Sequence, residues 1–98
     1  MSTPEQRAGA PMSTVKKMEE RLQALAPENI EILDESGKHA GHEGARGGGG
    51  HYDLLIVSPR FTGCPTVVRH RLVYEALGDL MRKDIHALAI RALAPNEI

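Results

Sequence analysis

The chain has 98 residues, 41% of them hydrophobic, and its 12 basic and 13 acidic residues leave a formal net charge of −1. This length predicts one domain, and the balanced charge gives no overall attraction to nucleic acid or to a membrane surface. The single cysteine excludes an internal disulfide bond, and no apolar run approaches the roughly 20 residues that a membrane-spanning helix needs.

The N-terminal part of the chain predicts a short lead-in followed by a helix. Residues 1–12 lack the hydrophobic core of a signal peptide, and we expect them to be disordered ahead of a domain over residues 13–98. Apolar residues at helical spacing predict a helix that begins near Ser13 or Thr14 and ends at Pro27.

A strand, a loop and a second strand are predicted next. The segment NIEILDES alternates and predicts a short strand with Ile30 and Ile32 facing inward. Residues 36–50 are rich in glycine and histidine, and the four-glycine run at their end predicts a flexible loop. The continuous apolar run HYDLLIVS predicts a strand that is buried on both faces or nearly so.

The C-terminal half predicts a helix and a third strand. The segment PTVVRHRLVYEALGDLMRK predicts one helix, whose main apolar stripe is formed by Val68, Leu72, Ala76 and Leu80, with Val73 and Leu77 beside it. Strict alternation in DIHALAIRAL places Ile85 and Ala87 on one side and His86 and Leu88 on the other. The segment APNEI predicts the first turn of a last helix. We therefore expect an α+β domain in the order α-β-β-α-β(-α), with helices covering one face of a three-stranded mixed sheet.

Histidines are the main candidates for chemistry. His86 is either a core histidine with a backbone partner or a metal ligand, because a strand fixes the imidazole and its neutral nitrogen suits Zn, Fe or Cu. His39 and His42 could provide a second ligand from the loop or could simply be solvated. Such a donor set is too small for a closed zinc site, so it favours a site that a partner or a small molecule completes.

Two further features could bind or react. Cys64 precedes the second helix, where the helix dipole favours a thiolate, so it is a ligand or redox candidate or an incidental turn residue. A set of basic and histidine side chains could contact a partner protein or phosphates of a nucleic acid, or could be a solvated surface: Arg60, Arg69, His70, Arg71 and Lys83. The chain has no Walker A motif and no evident pair of catalytic carboxylates, so we expect it not to be an enzyme.

Three motifs together resemble those of the BolA family: Arg60-Phe61-x-Gly63, Arg69-His70-Arg71 and His86-Ala87-Leu88. The similarity runs from about Val15 to the C-terminus. The resemblance implies a fold similar to a class II KH domain. It also implies a protein, monomeric alone, that forms a heterodimer with a monothiol glutaredoxin and shares a glutathione-dependent [2Fe-2S] cluster.

The resemblance also implies which residues bind the cluster. One ligand is the histidine of the His-Ala-Leu strand, here His86, and the other is a loop residue that the Ser-Gly-x-His context places on His39. Because this loop is longer than is usual in the family, His42 remains an alternative, as does Cys64. These expectations describe a protein of iron homeostasis in the cytoplasm, or in a mitochondrion or plastid if a presequence has been removed. A DNA-binding transcriptional regulator that uses the KH-like fold and the basic helix is the alternative function.

Overall fold

The computed structural model describes residues 13–36 and 50–98. The predicted lead-in and the interior of the predicted loop, with His39 and His42, lie outside the described residues. The regular elements are α1 (Thr14–Leu22), β1 (Asn29–Asp34), β2 (Gly50–Val57), α2 (Thr66–Leu77), α3 (Leu80–Lys83) and β3 (Ile85–Leu93). Three 3₁₀ turns connect or follow them, at Gln23–Leu25, Pro59–Phe61 and Pro95–Glu97.

The first helix forms where the sequence predicts it. The Ser13 hydroxyl accepts a hydrogen bond from the Lys16 N–H at 3.1 Å and so satisfies one of the free donors of the first turn. Met18 and Leu22 lie on one face of α1, and both are buried in the core. The helix gives way to the 3₁₀ turn before Ala26, which adopts a left-handed conformation with φ of 49°.

The three strands form a mixed sheet in the order β1-β2-β3. β1 and β2 are antiparallel, whereas β2 and β3 are parallel and are joined through α2 and α3. The predicted α+β class and the mixed sheet are confirmed. Ile30 and Ile32 pack against the core, as the alternation in β1 predicts.

The helices cover only one face of this sheet. Tyr52, Leu54 and Ile56 of β2 are buried against them, while Asp53 between them is exposed. The prediction that β2 is buried on both faces is therefore wrong. A continuous apolar run is typical of a strand that is covered on both faces, but the helices within residues 13–36 and 50–98 lie on one face of the sheet.

The predicted second helix is interrupted. α2 ends at Gly78, whose φ of 57° takes the backbone out of the helical region, and α3 follows as a separate turn of helix. The buried residues of α2 are Val73 and Leu77, which the sequence places beside the main apolar stripe. Of the predicted main stripe, only Leu80 is buried. In the described parts of the chain, no helix has the length and apolar character needed to cross a membrane.

Candidate metal centre

A β-bulge near the start of β3 determines the position of His86. The pairing with β2 passes from Gly50 opposite Ile85 to His51 opposite Ala87, so β3 advances by two residues while β2 advances by one. His86 is the extra residue, and its side chain is exposed. The strict alternation predicted for this strand is therefore wrong at its start, because an inserted residue reverses the facing of what precedes it.

His51 lies beside His86 on the neighbouring strand. The centroids of their imidazole rings are 5.2 Å apart, and the ring planes differ by 24°. Because β2 and β3 are parallel and both histidines lie near the starts of their strands, the two rings meet at one end of the sheet. We refer to His51 and His86 as the histidine pair.

Backbone contacts hold the chain on both sides of the segment 37–49 next to the histidine pair. The His51 N–H donates to the Ser36 hydroxyl at 3.0 Å, and the His51 carbonyl accepts from the Glu35 N–H at 2.8 Å. The Gly50 N–H donates to the Asp84 carbonyl at 2.9 Å. The described residues that flank positions 37–49 are therefore held next to the histidine pair.

The donors suit part of a metal site. Within residues 13–36 and 50–98, no group of three or more His, Cys, Asp or Glu side chains is arranged to hold a metal ion. Imidazole nitrogens are good ligands for iron, zinc and copper, but a structural zinc site needs four ligands. The histidine pair, in which His86 is exposed and His51 half-buried, thus fits a site that other donors complete, and it does not by itself form a closed one.

The structure does not bring Cys64 to the histidine pair. Cys64 lies near Arg69, whose Nε donates to the Cys64 carbonyl at 2.7 Å. The Nη1 of Arg69 donates to the Ala92 carbonyl at 2.9 Å. Ala92 lies near the far end of β3, about 20 Å along the strand from His86 at roughly 3.3 Å per residue. Cys64 is half-buried there, and its Sγ is 3.5 Å from the Arg60 carbonyl oxygen.

Arg69 is a structural residue as well as a basic one. Its Nη1 and Nη2 donate to the two carboxylate oxygens of Glu97 at 2.6 and 2.7 Å, a bidentate geometry. The hydrogen bond from Arg69, helped by one from the Ala94 N–H, lowers the pKa of Glu97 to about 2. The hydrogen bond to Glu97 raises the pKa of Arg69 in turn. Arg69 thereby fastens the C-terminal turn to α2.

The other basic candidates are spread over the surface. Arg71 is exposed and His70 half-buried on α2, where they line a shallow surface pocket with Val67 and Tyr74. Exposed Arg60 lies in the turn after β2, and its Nη1 is 3.4 Å from the Ala24 carbonyl. Lys83 lies 3.4 Å from the carboxylate of Asp79, which also pairs with Arg21 at 3.0 Å. The hydrogen bond from Arg21 is the main cause that lowers the pKa of Asp79.

Sequence reasoning does not include His51 among the ligand candidates. Its only signal is its place at the end of the glycine- and histidine-rich segment, directly before the apolar run of β2. Its proximity to His86 depends on the register of a parallel strand pair and on a bulge, and neither can be read from local patterns.

Comparisons with known proteins identify the family. A family model described as BolA-like protein matches residues 22–97. BolA-like protein 1 of Mus musculus is 45% identical over 75 residues, which cover 76% of this chain and 53% of the relative. SufE-like protein 1, chloroplastic/mitochondrial, of Arabidopsis thaliana is 41% identical over 88 residues, which cover 84% of this chain and 24% of the relative. The chain thus spans between about a quarter and about half of the length of these two proteins.

Two further comparisons agree with this. The DNA-binding transcriptional regulator BolA of Vibrio cholerae is 38% identical over 82 residues, which cover 84% of this chain and 72% of the relative. The solved structure of BolA1 from Arabidopsis thaliana superposes with a TM-score of 0.77 at 39% identity, and the match covers 91% of this chain and 99% of that one. With the family model matched over most of the chain and the fold matched as well, this chain belongs to the BolA family.

Proposed function

We propose that this BolA protein binds a [2Fe-2S] cluster jointly with a monothiol glutaredoxin and glutathione, and that it carries or regulates iron-sulfur clusters without being an enzyme. The observation that supports the proposal is the histidine pair, with His86 exposed and His51 half-buried, which offers two imidazoles but has no third donor grouped with it among the described residues. Such a set suits a cluster shared between two molecules, with thiolates from the partner and from glutathione on the other iron.

His86 is the residue on which the proposed site depends. Its side chain is exposed at the end of the sheet, so a second protein can approach it. A neutral imidazole nitrogen is the form that binds iron. The second protein ligand in this proposal is another histidine close to His86 in space or reached from the loop: His39, His42 or His51. When bound, the cluster would supply one-electron redox chemistry or transferable iron and sulfide.

The proposal is tested by visible circular dichroism of a cluster-loaded monothiol glutaredoxin with glutathione, before and after addition of this chain. We expect the wild-type chain to change the cluster spectrum and His86→Ala to leave it unchanged. His70→Ala is the matched control, because His70 lies on α2 and not on the two strands that carry the histidine pair. A His86→Ala variant that changed the spectrum as the wild type does would contradict the proposal.

DNA binding is the second candidate function. The name of the Vibrio cholerae relative and the exposed side chains of Arg60, Arg71 and Lys83 favour it. The hydrogen bonds from Arg69 to Glu97 count against DNA binding, since the Arg69 guanidinium already has partners within the chain. Binding to duplex DNA that falls steeply with salt and weakens in Arg71→Ala would support it. Binding that does not depend on salt would contradict it.

The proposed assembly is a heterodimer of this chain with the glutaredoxin, formed inside the cell, while the chain alone is a monomer. The cytoplasm, a mitochondrion or a plastid would be the compartment, and the name of the Arabidopsis relative places that protein in the chloroplast and mitochondrion. Light scattering after size-exclusion chromatography tests the assembly. A single species of the summed mass is expected for the mixture, and a homodimer of the isolated chain would contradict the monomer.

A further inference from the structure

The helices within residues 13–36 and 50–98 leave one face of the sheet uncovered. Alternation along the strands directs every second side chain away from the core and onto this face. A shallow depression crosses all three strands there. We call this surface the open face and define it by two rows of side chains that are in register across the strands: Glu31, Leu55 and Arg91 in one row, and Leu33, Asp53 and Ala89 in the next.

The open face has features of a sheet surface that another layer covers. Leu33 is 58% exposed, Ala89 is exposed and Leu55 is half-buried. β2 and β3 are parallel, and parallel strands usually have helices on both faces. The continuous apolar sequence of β2 is also typical of a strand that is covered on both faces. These features favour a further layer of structure on the open face.

Opposite charges lie on the two sides of the open face. Glu31 and Arg91 are both exposed, and they lie on the two outer strands with Leu55 between them. Within residues 13–36 and 50–98, no ion pair joins either side chain to another residue. Asp53 is exposed on the central strand, one row away, so the open face is acidic overall. A covering surface must therefore be apolar in the middle, basic toward Glu31 and acidic toward Arg91.

One α-helix has the dimensions that the open face requires. Neighbouring strands are about 4.8 Å apart, so the two outer strands are about 10 Å apart. A helix with its side chains is about 10–12 Å wide, and a single helix along the strands therefore covers all three. The six residues of β1 extend over about 20 Å, which a helix of about 13 residues matches at 1.5 Å per residue.

We propose that the open face binds an amphipathic helix of another protein. The apolar stripe of that helix packs on Leu33 and Leu55, its basic flank meets Glu31, and its acidic flank meets Arg91. Because the two flanks differ in charge, the ion pairs determine the direction in which the helix runs across the sheet. This binding requires neither histidine of the histidine pair, so it goes beyond the proposed cluster site.

The test uses a synthetic peptide of about 18 residues, long enough to form a helix in water, with leucines along one stripe, lysines on one flank and glutamates on the other. Fluorescence anisotropy of the labelled peptide measures its affinity for the full chain, and amide resonances locate the binding surface. We expect the wild type to bind the peptide with shifted resonances at Leu55 and Ala89 and unshifted resonances along α2. Since His86→Ala leaves the open face intact, it should bind the peptide as the wild type does, which separates this inference from the proposed function.

Exchange of the charges tests the direction of the helix. Glu31→Lys should weaken binding about fivefold or more, because it replaces an attraction by a repulsion. The double variant Glu31→Lys/Arg91→Glu should restore the affinity, since the exchanged charges accept the same peptide in the opposite direction. Glu20→Lys is the matched control, because it makes the same change of charge at an exposed position on α1, and it should bind as the wild type does.

Several results would overturn the proposal. They are a wild type that does not bind the peptide, peptide-induced shifts on α2 in place of the open face, and equal affinities for Glu31→Lys and Glu20→Lys. Nuclear Overhauser contacts of the Leu33 methyl groups in the free chain would also decide against it in two cases. Contacts with a second copy, or with residues outside 13–36 and 50–98, would assign the open face to this chain itself.

Discussion

The buried hydroxyl of Ser58 provides a sharp test of how this small domain is stabilised. Ser58 is 0% exposed and follows the last residue of β2. Its hydroxyl donates to the Leu25 carbonyl at 2.6 Å and accepts from the Arg60 N–H at 3.0 Å. One oxygen atom therefore joins the 3₁₀ turn after α1 to the turn that carries Phe61.

Ser58→Ala removes that oxygen and adds no bulk. The Leu25 carbonyl, in a buried residue, loses its hydroxyl donor, and leaving a buried acceptor without a partner costs about 1–3 kcal/mol. The Arg60 N–H loses an acceptor in a partly buried place, which adds about 0.5–1 kcal/mol. We therefore expect the free energy of unfolding to fall by about 2–3 kcal/mol. For a domain of this size that corresponds to a decrease in Tm of roughly 10–20 °C.

Urea unfolding followed by far-ultraviolet circular dichroism measures this change, with the m-value expected to stay the same. Thr62→Ala is the matched control, since it removes an exposed hydroxyl from the same turn and should change the free energy of unfolding by no more than about 0.5 kcal/mol. If Ser58→Ala were as stable as Thr62→Ala, the two hydrogen bonds would contribute no net stability and the reasoning would be refuted.

Three other substitutions test separate features. Glu97→Gln weakens the hydrogen bonds to Arg69. Because the pKa of Glu97 is lowered to about 2 in the folded protein, we expect the wild type to be more stable than the variant at pH 7. The wild type should lose that advantage as the pH falls from about 4.5 toward 2. Urea midpoints at several pH values measure this, and a pH-independent difference would contradict it. Gly50→Ala would place a methyl group against the Ser36 hydroxyl. We therefore expect the free energy of unfolding, measured in urea, to fall by about 1–3 kcal/mol and the amide resonance of His51 to shift. An unchanged amide spectrum would count against this prediction. A methyl group at Gly63 would meet no atom within 4 Å, but the backbone there has φ of 77°. We therefore expect Gly63→Ala to lower the free energy of unfolding by about 1 kcal/mol and Gly63→Asn to lower it less. Equal decreases in the two variants would argue against backbone strain as the cause.

Local sequence patterns predict most of the elements, because each pattern depends only on neighbouring residues. The alternation at Ile30 and Ile32 and the helical spacing of Met18 and Leu22 both predict the buried face correctly. The break at Gly78 also has a local cause, since glycine readily takes the positive φ that ends a helix. The resemblance to a known family added the expectation of a KH-like fold.

The arrangement of the candidate site depends on non-local pairing and could not be predicted in the same way. The meeting of His51 and His86 requires a parallel register and an extra residue in β3, and the sequence of neither strand specifies these alone. The same limit applies to Arg69, which the motif presents as a surface cation. Its engagement by Glu97 depends on how the C-terminal turn packs on α2.

The parallel pairing of β2 with β3 also has a consequence for when the two imidazoles can meet. His51 and His86 are 35 residues apart in the sequence. Their side chains meet only after the intervening helices have crossed over and β3 has paired with β2. Non-local pairings of this kind form late in folding, since the cost of closing the loop precedes the gain from contacts. A ribosome-bound chain that has not yet released β3 therefore offers no paired imidazoles, and a ligand that needs both rings stabilises only the completed fold.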